Sequence, residues 1–143
     1  MRMDGTPSVL FLCVHNAGRS QMAAAFMRRD GVGLVEVRTG GSTPVAEVNP
    51  AVVAAMREVG LDVGAEVPRR FDEDDVREAD VVVTMGCGDT CPVFPGKRYE
   101  DWELTDPSGL SVDEIRPIRD QIERRVLALL KDLVPSANLP SSA

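Results

Sequence analysis

Hydrophobic and polar positions alternate along the chain in a way that predicts short buried strands followed by amphipathic helices. Residues 9–14 form an unbroken apolar run of strand length. It ends at the turn-forming residues 16–18, which indicates a buried strand entering a tight loop. Residues 21–29 are strong helix formers with basic side chains in the last turn, and Ser20 is the N-cap that this pattern predicts.

The same alternation recurs further along the chain. Residues 34–39 predict a second strand that the glycines at 40 and 41 end, and Asn49 is the predicted cap of a helix running to residue 58. After an acidic stretch at residues 72–75, the β-branched residues 80–85 predict a third strand. Residues 98–102 are suited to a short fourth strand.

A long amphipathic helix is predicted over residues 111–133. Its apolar positions are spaced by three and four, as one buried helix face requires. They are Ile115, Ile118, Ile122, Val126, Leu129, Leu130 and Leu133. The Ser- and Pro-rich residues 135–143 predict a frayed tail. We therefore expect a single catalytic domain over residues 1–134.

Strands alternating with helices predict an α/β fold, a three-layer sandwich with a four-stranded parallel sheet. Ligands of such sheets bind at the carboxyl ends of the strands. Cys13, Cys87 and Asp106 each follow a predicted strand. We therefore expect these three residues at one edge of the sheet.

Charge and composition narrow the classes of function. The formal net charge is −7, with 23 acidic against 16 basic residues, so a broad surface for nucleic acid or anionic membrane is not expected. No apolar run is long enough for a signal peptide or a membrane span, which predicts a cytoplasmic protein. Three cysteines in a reducing compartment favour reactive or buried thiols over a structural disulfide. We expect a monomer.

The loop from Cys13 to Arg19 carries the strongest chemical signal, a cysteine and an arginine separated by five residues between a strand and a helix. Such a loop converges its backbone N–H groups on one point, where a tetrahedral oxyanion binds. Arg19 adds a charged fork for two oxygens, and the same field stabilises the Cys13 thiolate as a nucleophile. The predicted oxyanion-binding residues are Val14, His15, Asn16, Ala17, Gly18, Arg19 and Ser20.

Simpler interpretations of this loop exist. A buried structural thiol followed by an ordinary turn also satisfies an isolated C-x5-R match, but the flanking strand and helix favour an active site. His15 is the only histidine, and without clustered carboxylates it predicts no metal site. We interpret it as a loop-shaping or surface residue.

Asp106 is the candidate general acid. A thiolate that displaces oxygen from an oxyanion needs a proton donor for the leaving group, and Asp106 lies on a predicted turn that can face the loop. Taken alone, the sequence Asp-Pro-Ser-Gly is ordinary turn chemistry. Its pairing with the Cys13 loop in this fold favours the catalytic role.

Cys87 and Cys91 form a second pair of thiols after the third strand. A separation of four residues brings two thiols within disulfide reach, and the neighbouring glycines favour mobility. A zinc half-site is the competing interpretation, but a second ligand pair is missing. Two unrelated small residues packed at the sheet edge are the remaining alternative.

These residues together resemble a known family, the arsenate reductases that share the fold of low-molecular-weight protein tyrosine phosphatases. The resemblance extends over nearly the whole chain, from the Cys13 loop to the Asp106-Pro107 turn. It implies that Cys13 attacks arsenate, that Arg19 and the loop amides bind its oxygens, and that Asp106 assists departure of water. It further implies that Cys87 and then Cys91 relay the oxidation outward as a disulfide, by thiol exchange.

The resemblance also implies an external thiol reductant and no bound cofactor. The implied reductant is thioredoxin. The short Cys87 to Cys91 spacing also resembles that of enzymes that use mycothiol, so mycothiol with mycoredoxin is the alternative. Two other functions stay open. A tyrosine phosphatase would use the same Cys13, Arg19 and Asp106. A non-enzymatic module would bind As(III) through the three thiols.

Overall fold

Four strands and four helices occur in the part of the chain that the computed structural model describes, residues 6–86 and 96–135. The strands are β1 (Ser8–Cys13), β2 (Glu36–Gly41), β3 (Val81–Met85) and β4 (Arg98–Asp101). The helices are α1 (Arg19–Asp30), α2 (Pro50–Arg57), α3 (Glu73–Glu78) and α4 (Val112–Leu133).

The strands form one parallel sheet in the order β2-β1-β3-β4, which confirms the predicted four-stranded α/β fold. Because β1 is central, its last residue, Cys13, lies between Gly41 of β2 and Met85 of β3. The chain leaves β1 toward β2 on one side and later returns to β3 on the other. Ligands of open α/β sheets bind at such a reversal of strand order, beyond the carboxyl ends of the strands.

Both faces of β1 are buried, since all six of its residues are shielded from solvent. Val9, Phe11 and Cys13 belong to the larger apolar cluster, which packs α1, α2 and α4 on one face of the sheet. Leu10 and Leu12 face the other way, into a smaller cluster with residues of α3. This arrangement confirms the predicted three layers.

Helix α4 buries the predicted apolar stripe. Of the seven predicted positions only Leu133, at the end of the helix, is partly exposed. Ser111 caps the helix through a reciprocal capping box with Glu114, so the predicted start is confirmed to within one residue. No helix in residues 6–86 and 96–135 is long and apolar enough to cross a membrane.

The acidic stretch at residues 72–75, to which the sequence pattern assigns no element, begins α3. Asp72 accepts a hydrogen bond from the backbone of Asp75, and the Asp75 carboxylate accepts one from the backbone of Asp72. This capping box starts a helix of six residues, in which Val76 is fully buried. The helix is too short for its periodicity to stand out in the sequence.

The prediction that the glycines at 40 and 41 stop the second strand after Thr39 is wrong, since both belong to β2, which ends at Gly41. A Cβ at Gly40 would lie 2.7 Å from the Phe71 Cβ, and one at Gly41 would lie 2.6 Å from the Val14 carbonyl oxygen. The two glycines therefore permit close approach of neighbouring chain segments. They do not break the strand.

Three sequence predictions lie on residues outside the described ranges. Cys87 and Cys91 are two of them, and the predicted tail is the third, apart from its first residue, Pro135.

An ion-pair cluster joins the end of α2 to α4 and makes stability depend on pH. Hydrogen bonds from Arg116, and then from Arg119, lower the pKa of the Glu58 carboxyl from 4.5 to about 2. A carboxyl whose pKa is depressed by folding stabilises the fold above its unfolded pKa, and this stabilisation is lost as the pH falls through its folded pKa.

We expect Glu58→Gln to lower the melting temperature at pH 7. This difference from the unmodified chain should shrink as the pH falls from about 4.5 toward about 2, the window set by the two pKa values. Thermal unfolding followed by circular dichroism across this range measures it. Glu103→Gln is the control, because no described residue forms an ion pair with Glu103. A Glu58→Gln deficit that persists at pH 2 would contradict the assignment.

Candidate active site

The loop between β1 and α1 is held by its carbonyl groups. Four of its carbonyls accept hydrogen bonds from backbone N–H groups of residues 42–49, which we call the 42–49 segment. The pairs are Ser42 N to Cys13 O (3.3 Å), Thr43 N to Val14 O (2.8 Å), Val45 N to His15 O (3.3 Å) and Asn49 N to Ala17 O (2.9 Å). The 42–49 segment therefore encloses the loop from outside.

The two remaining carbonyls of the loop are bound by α1. Gln21 Nε2 donates to the Asn16 carbonyl at 3.1 Å, and Met22 N donates to the Gly18 carbonyl at 3.0 Å. The backbone N–H groups of residues 15–18 donate to no acceptor within residues 6–86 and 96–135. Because these carbonyls are bound elsewhere, the loop amides are free to serve an anion, together with the N-terminus of α1.

The Asn16 side chain supports the loop from inside through hydrogen bonds. It is fully buried and takes φ +53°, the left-handed conformation that asparagine tolerates better than most residues. Its Oδ1 accepts from the backbone N–H of Arg69 at 3.0 Å, and its Nδ2 donates to Ser20 Oγ at 2.7 Å. The orientation of the side-chain amide is therefore set at both ends.

Cys13 is 2% exposed, and its Sγ lies 2.9 Å from Ser20 Oγ. Ser20 Oγ also accepts a hydrogen bond from Asn16, and an ionised Cys13 sulfur can only accept the Ser20 hydroxyl proton. The predicted Cys13–Ser20 contact is thus present.

The prediction that Ser20 caps α1 is wrong. The helix begins at Arg19, with Gly18 at the N-cap position and no capping side chain. Ser20 is fully buried one position inside the helix, where its hydroxyl is engaged by Cys13 and Asn16 instead of the backbone. The first amides of α1 therefore have no side-chain cap competing for them.

Arg19 extends along the same edge of the sheet. Its side chain is 9% exposed, and Nη1 donates to the Leu104 carbonyl at 3.3 Å. A Cβ added to Gly86, which has φ +96°, would lie 2.9 Å from Arg19 Nη1. Only a glycine therefore fits beside this guanidinium, directly before Cys87 in the chain.

Asp106 lies on the opposite rim, on a turn that is docked against the loop. Its Oδ2 is 3.9 Å from Arg19 Nη2, and its Oδ1 accepts from the backbone N–H of Ser108 at 3.0 Å. The next residue, Pro107, is buried against Gly18, where an added Cβ would lie 2.7 Å from the proline Cγ. The Asp106 side chain is 53% exposed and free to meet a bound molecule.

These elements enclose a cleft of about 230 Å³. The structure brings Cys13, Arg19 and Asp106 together there, with His15, Ala17 and Gly18 of the predicted loop. Val14, Asn16 and Ser20 stand behind the cleft and do not line it. Sequence reasoning missed the other lining residues, namely Val45, Glu47, Asn49, Pro107 and Ser108. In the sequence, Asn49 and Pro107 indicate only local structure, and the 42–49 segment carries no chemical signal.

The chain belongs to the low molecular weight phosphotyrosine protein phosphatase family, whose model matches residues 8–138. Several proteins to which it is similar are named for arsenate reduction. It is 40% identical over 140 residues to a Halobacterium salinarum protein assigned as an arsenate reductase, covering 94% of this chain and 99% of that protein. It is also 34% identical to the glutaredoxin arsenate reductase of Synechocystis sp., with 85% and 95% covered.

Solved structures agree with this membership. The thioredoxin-dependent arsenate reductase of Corynebacterium glutamicum has a TM-score of 0.82 at 40% identity, covering 95% of this chain and 66% of that chain. An arginine phosphatase from Geobacillus stearothermophilus has a TM-score of 0.76 at 21% identity, covering 89% of this chain and 92% of that chain. At that identity the second likeness shows the fold alone. The family resemblance found in the sequence is therefore confirmed.

We expect Gly41→Ala to weaken oxyanion binding by roughly tenfold or more, since displacements well under 1 Å in a preorganised site have effects of this order. The new methyl group would collide with the Val14 carbonyl and push the loop from its position. Protection of Cys13 from iodoacetamide by inorganic phosphate measures the affinity. Gly60→Ala is the control, because it strains a positive φ in open space away from the cleft. Equal protection in both variants would contradict the prediction.

Proposed function

We propose that this chain reduces arsenate to arsenite, with Cys13 as the nucleophile and with residues 1–134 as one catalytic domain. The observation that carries the proposal is the Cys13 sulfur lying in a loop whose carbonyls are all bound elsewhere, beside Arg19 and Asp106. Relatives at 30–40% identity that are named arsenate reductases support it. Phosphate and arsenate share a tetrahedral shape, so one loop suits both.

Arsenate binds through the amides of the loop, the N-terminus of α1 and the fork of Arg19. The amides of residues 14–20 supply N–H donors, and the helix dipole adds positive potential at the same point. Arg19 contributes paired donors in a plane that matches two oxygens. Its bond to the Leu104 carbonyl holds the guanidinium at the cleft.

In the first step the Cys13 thiolate attacks As(V) and displaces one arsenate oxygen. Asp106 donates the proton that lets this oxygen leave as water, and the product is a Cys13 sulfur–arsenic(V) adduct. The exposed Asp106 carboxyl on the cleft rim is accessible both to solvent protons and to the leaving oxygen.

In the second step the Cys87 thiolate attacks the Cys13 sulfur. The electron pair of the sulfur–arsenic bond passes to arsenic, which leaves as arsenite, and a Cys13–Cys87 disulfide forms. Cys91 then attacks Cys87, which frees Cys13 and leaves a Cys87–Cys91 disulfide. The position of Gly86 beside Arg19 supports this order, because Cys87 follows Gly86 directly in the chain.

The external reductant of that disulfide is a dithiol protein of the thioredoxin type, acting in the cytoplasm. The Corynebacterium glutamicum structure is of a thioredoxin-dependent enzyme, which supports this choice. Mycothiol with mycoredoxin is the alternative reductant. A reconstituted assay distinguishes the two, because arsenate turnover should depend on whichever reductant the chain uses. No bound cofactor is required, because every electron passes through thiols.

A phosphatase is the second candidate function, favoured by family membership and by the shared Cys13, Arg19 and Asp106. It would form a cysteinyl-phosphate at Cys13 and hydrolyse it. The residues after Pro107 are Ser108 and Gly109, which supply no aromatic wall for a phosphotyrosine ring. The phosphatase reaction also leaves Cys87 and Cys91 without a role.

We expect steady NADPH consumption with arsenate, thioredoxin and thioredoxin reductase, and none in Cys13→Ser. Cys91→Ser should complete a single turnover and stop, because its oxidised form carries the Cys13–Cys87 disulfide and no thiol to relay it. Repeating the assay with mycothiol and mycoredoxin identifies the reductant.

Three outcomes separate the alternatives. Unchanged turnover in Cys91→Ser would rule out the relay. Phosphate release from an aryl phosphate without arsenate turnover would support the phosphatase. Stoichiometric As(III) binding without turnover would support the sequestering module.

We expect Asp106→Asn to lower arsenate turnover by roughly 10²-fold or more, the usual contribution of a general acid, with little change in phosphate affinity. Glu47→Gln is the matched control, because Glu47 is an exposed acid on the rim of the same cleft. Steady-state rates over a range of arsenate concentrations measure both variants. A larger loss in Glu47→Gln than in Asp106→Asn would reassign the acid.

A further inference from the structure

Arg69 lies outside the cleft, yet hydrogen bonds fix both its backbone and its side chain beside the loop. Its carbonyl accepts from Gly41 N at 2.8 Å, at the end of β2. Its guanidinium donates to the Thr39 carbonyl at 2.6 Å and pairs with Asp75 Oδ2 at 2.8 Å. The Arg69 side chain therefore links β2 to α3. It does so beside the chain segment that contains the Arg69 backbone N–H.

That backbone N–H is the donor to Asn16 Oδ1. From there the hydrogen bonds continue through the Asn16 side chain to Ser20 and Cys13. Asn16 accepts at Oδ1 and donates from Nδ2 to Ser20 Oγ, and the Cys13 sulfur, once ionised, can only accept from the Ser20 hydroxyl. Arg69 is thus the outermost donor of a chain of hydrogen bonds that ends on the nucleophile.

The Asp75 carboxylate, which pairs with the Arg69 guanidinium, explains why this side chain keeps its position. Asp75 is 5% exposed, and a buried carboxylate is tolerated only when it is paired and hydrogen-bonded. Its Oδ2 also accepts from Asp72 N at 2.9 Å, within the capping box of α3. Arg38 Nη1 approaches the other oxygen only to 3.6 Å. Arg69 is therefore the closest cation to this carboxylate within the described part of the chain.

We propose that Arg69 is a positioning residue for the Cys13 thiolate, acting through its backbone N–H and held in place by its own side chain. The inference deepens the proposed function, because it concerns the reactivity of the same sulfur. Without the guanidinium, the segment around Arg69 loses its ties to Thr39 and Asp75. Asn16 then loses a fixed partner at Oδ1, and Ser20 is no longer committed to the sulfur.

The test isolates the Cys13 sulfur from arsenic chemistry. In a chain carrying Cys87→Ser and Cys91→Ser, Cys13 is the one remaining cysteine of the sequence, and its reaction with iodoacetamide reports thiolate reactivity directly. We expect Arg69→Ala to lower this rate constant by roughly three- to tenfold at neutral pH, the effect of weakening one buried hydrogen bond. Arg69→Lys, which can still pair with Asp75, should recover part of the loss.

Arg38→Ala is the matched control. It removes a cation from the same Asp75 carboxylate, and from Glu36 and Glu78. The Arg38 side chain, however, donates no hydrogen bond to Asn16 or to the Thr39 carbonyl. We expect it to leave the alkylation rate unchanged while lowering the melting temperature about as much as Arg69→Ala does. A purely structural role for Arg69 predicts equal alkylation rates in the two variants, and that result would overturn the proposal.

A second measurement uses the full chain with all three cysteines. In single-turnover experiments with arsenate, Arg69→Ala should lower the maximal rate of arsenite formation and leave the half-saturating arsenate concentration within about twofold, because the loop amides still bind the oxyanion. A rise in that concentration with an unchanged maximal rate would also overturn the proposal. Absence of arsenite formation in the unmodified chain would refute the proposed function alone, since the alkylation test stands without it.

Discussion

The hydrogen bonds that occupy the carbonyls of residues 13–18 are the constraint on which the rest of the site depends. A backbone loop presents donors and acceptors in equal number, so it favours an anion only if its acceptors are satisfied elsewhere. Here the 42–49 segment takes four of the carbonyls and α1 takes two. The loop is left with a concave set of N–H groups and a buried sulfur at its base. This set of donors is local, in a chain whose formal net charge is −7.

The sheet places this loop where the chemistry requires it. Because β1 is central, its carboxyl end lies between the ends of β2 and β3, and both neighbours contribute through glycines. Gly41 lets β2 approach the Val14 carbonyl, and Gly86, after β3, lets the Arg19 guanidinium approach closely. The Asp106 turn is held on the opposite rim by Pro107 packing on Gly18. Cys13 and Arg19 from one loop and Asp106 from a distant turn thus share one small cleft.

The family model is named for a phosphatase, whereas the similar relatives are named for arsenate reduction. In the proposed function the loop, Arg19 and Asp106 act on a tetrahedral oxyanion, and this shape alone does not distinguish transfer of a phosphoryl group from reduction of arsenic. The two reactions diverge only after the first thiolate attack. A phosphatase then needs only water, whereas a reductase needs a second thiol able to reach the first sulfur. For this chain that difference rests on Cys87 and Cys91.

The local pattern of the chain was enough to predict the parallel strands, α4 with its buried stripe, and the loop between Cys13 and Arg19, because these depend on periodicity and on residue spacing. Asp106 was predicted separately, from its place on a turn after a strand. The local pattern failed where a residue serves a neighbour distant in sequence. Ser20 resembles a helix cap but binds sulfur, and Gly40 and Gly41 resemble a strand end but make room for Phe71 and Val14. The link from Arg69 to Asn16 joins positions 53 residues apart. Such contacts exist only after the strands have aligned, so the tertiary structure alone decides them.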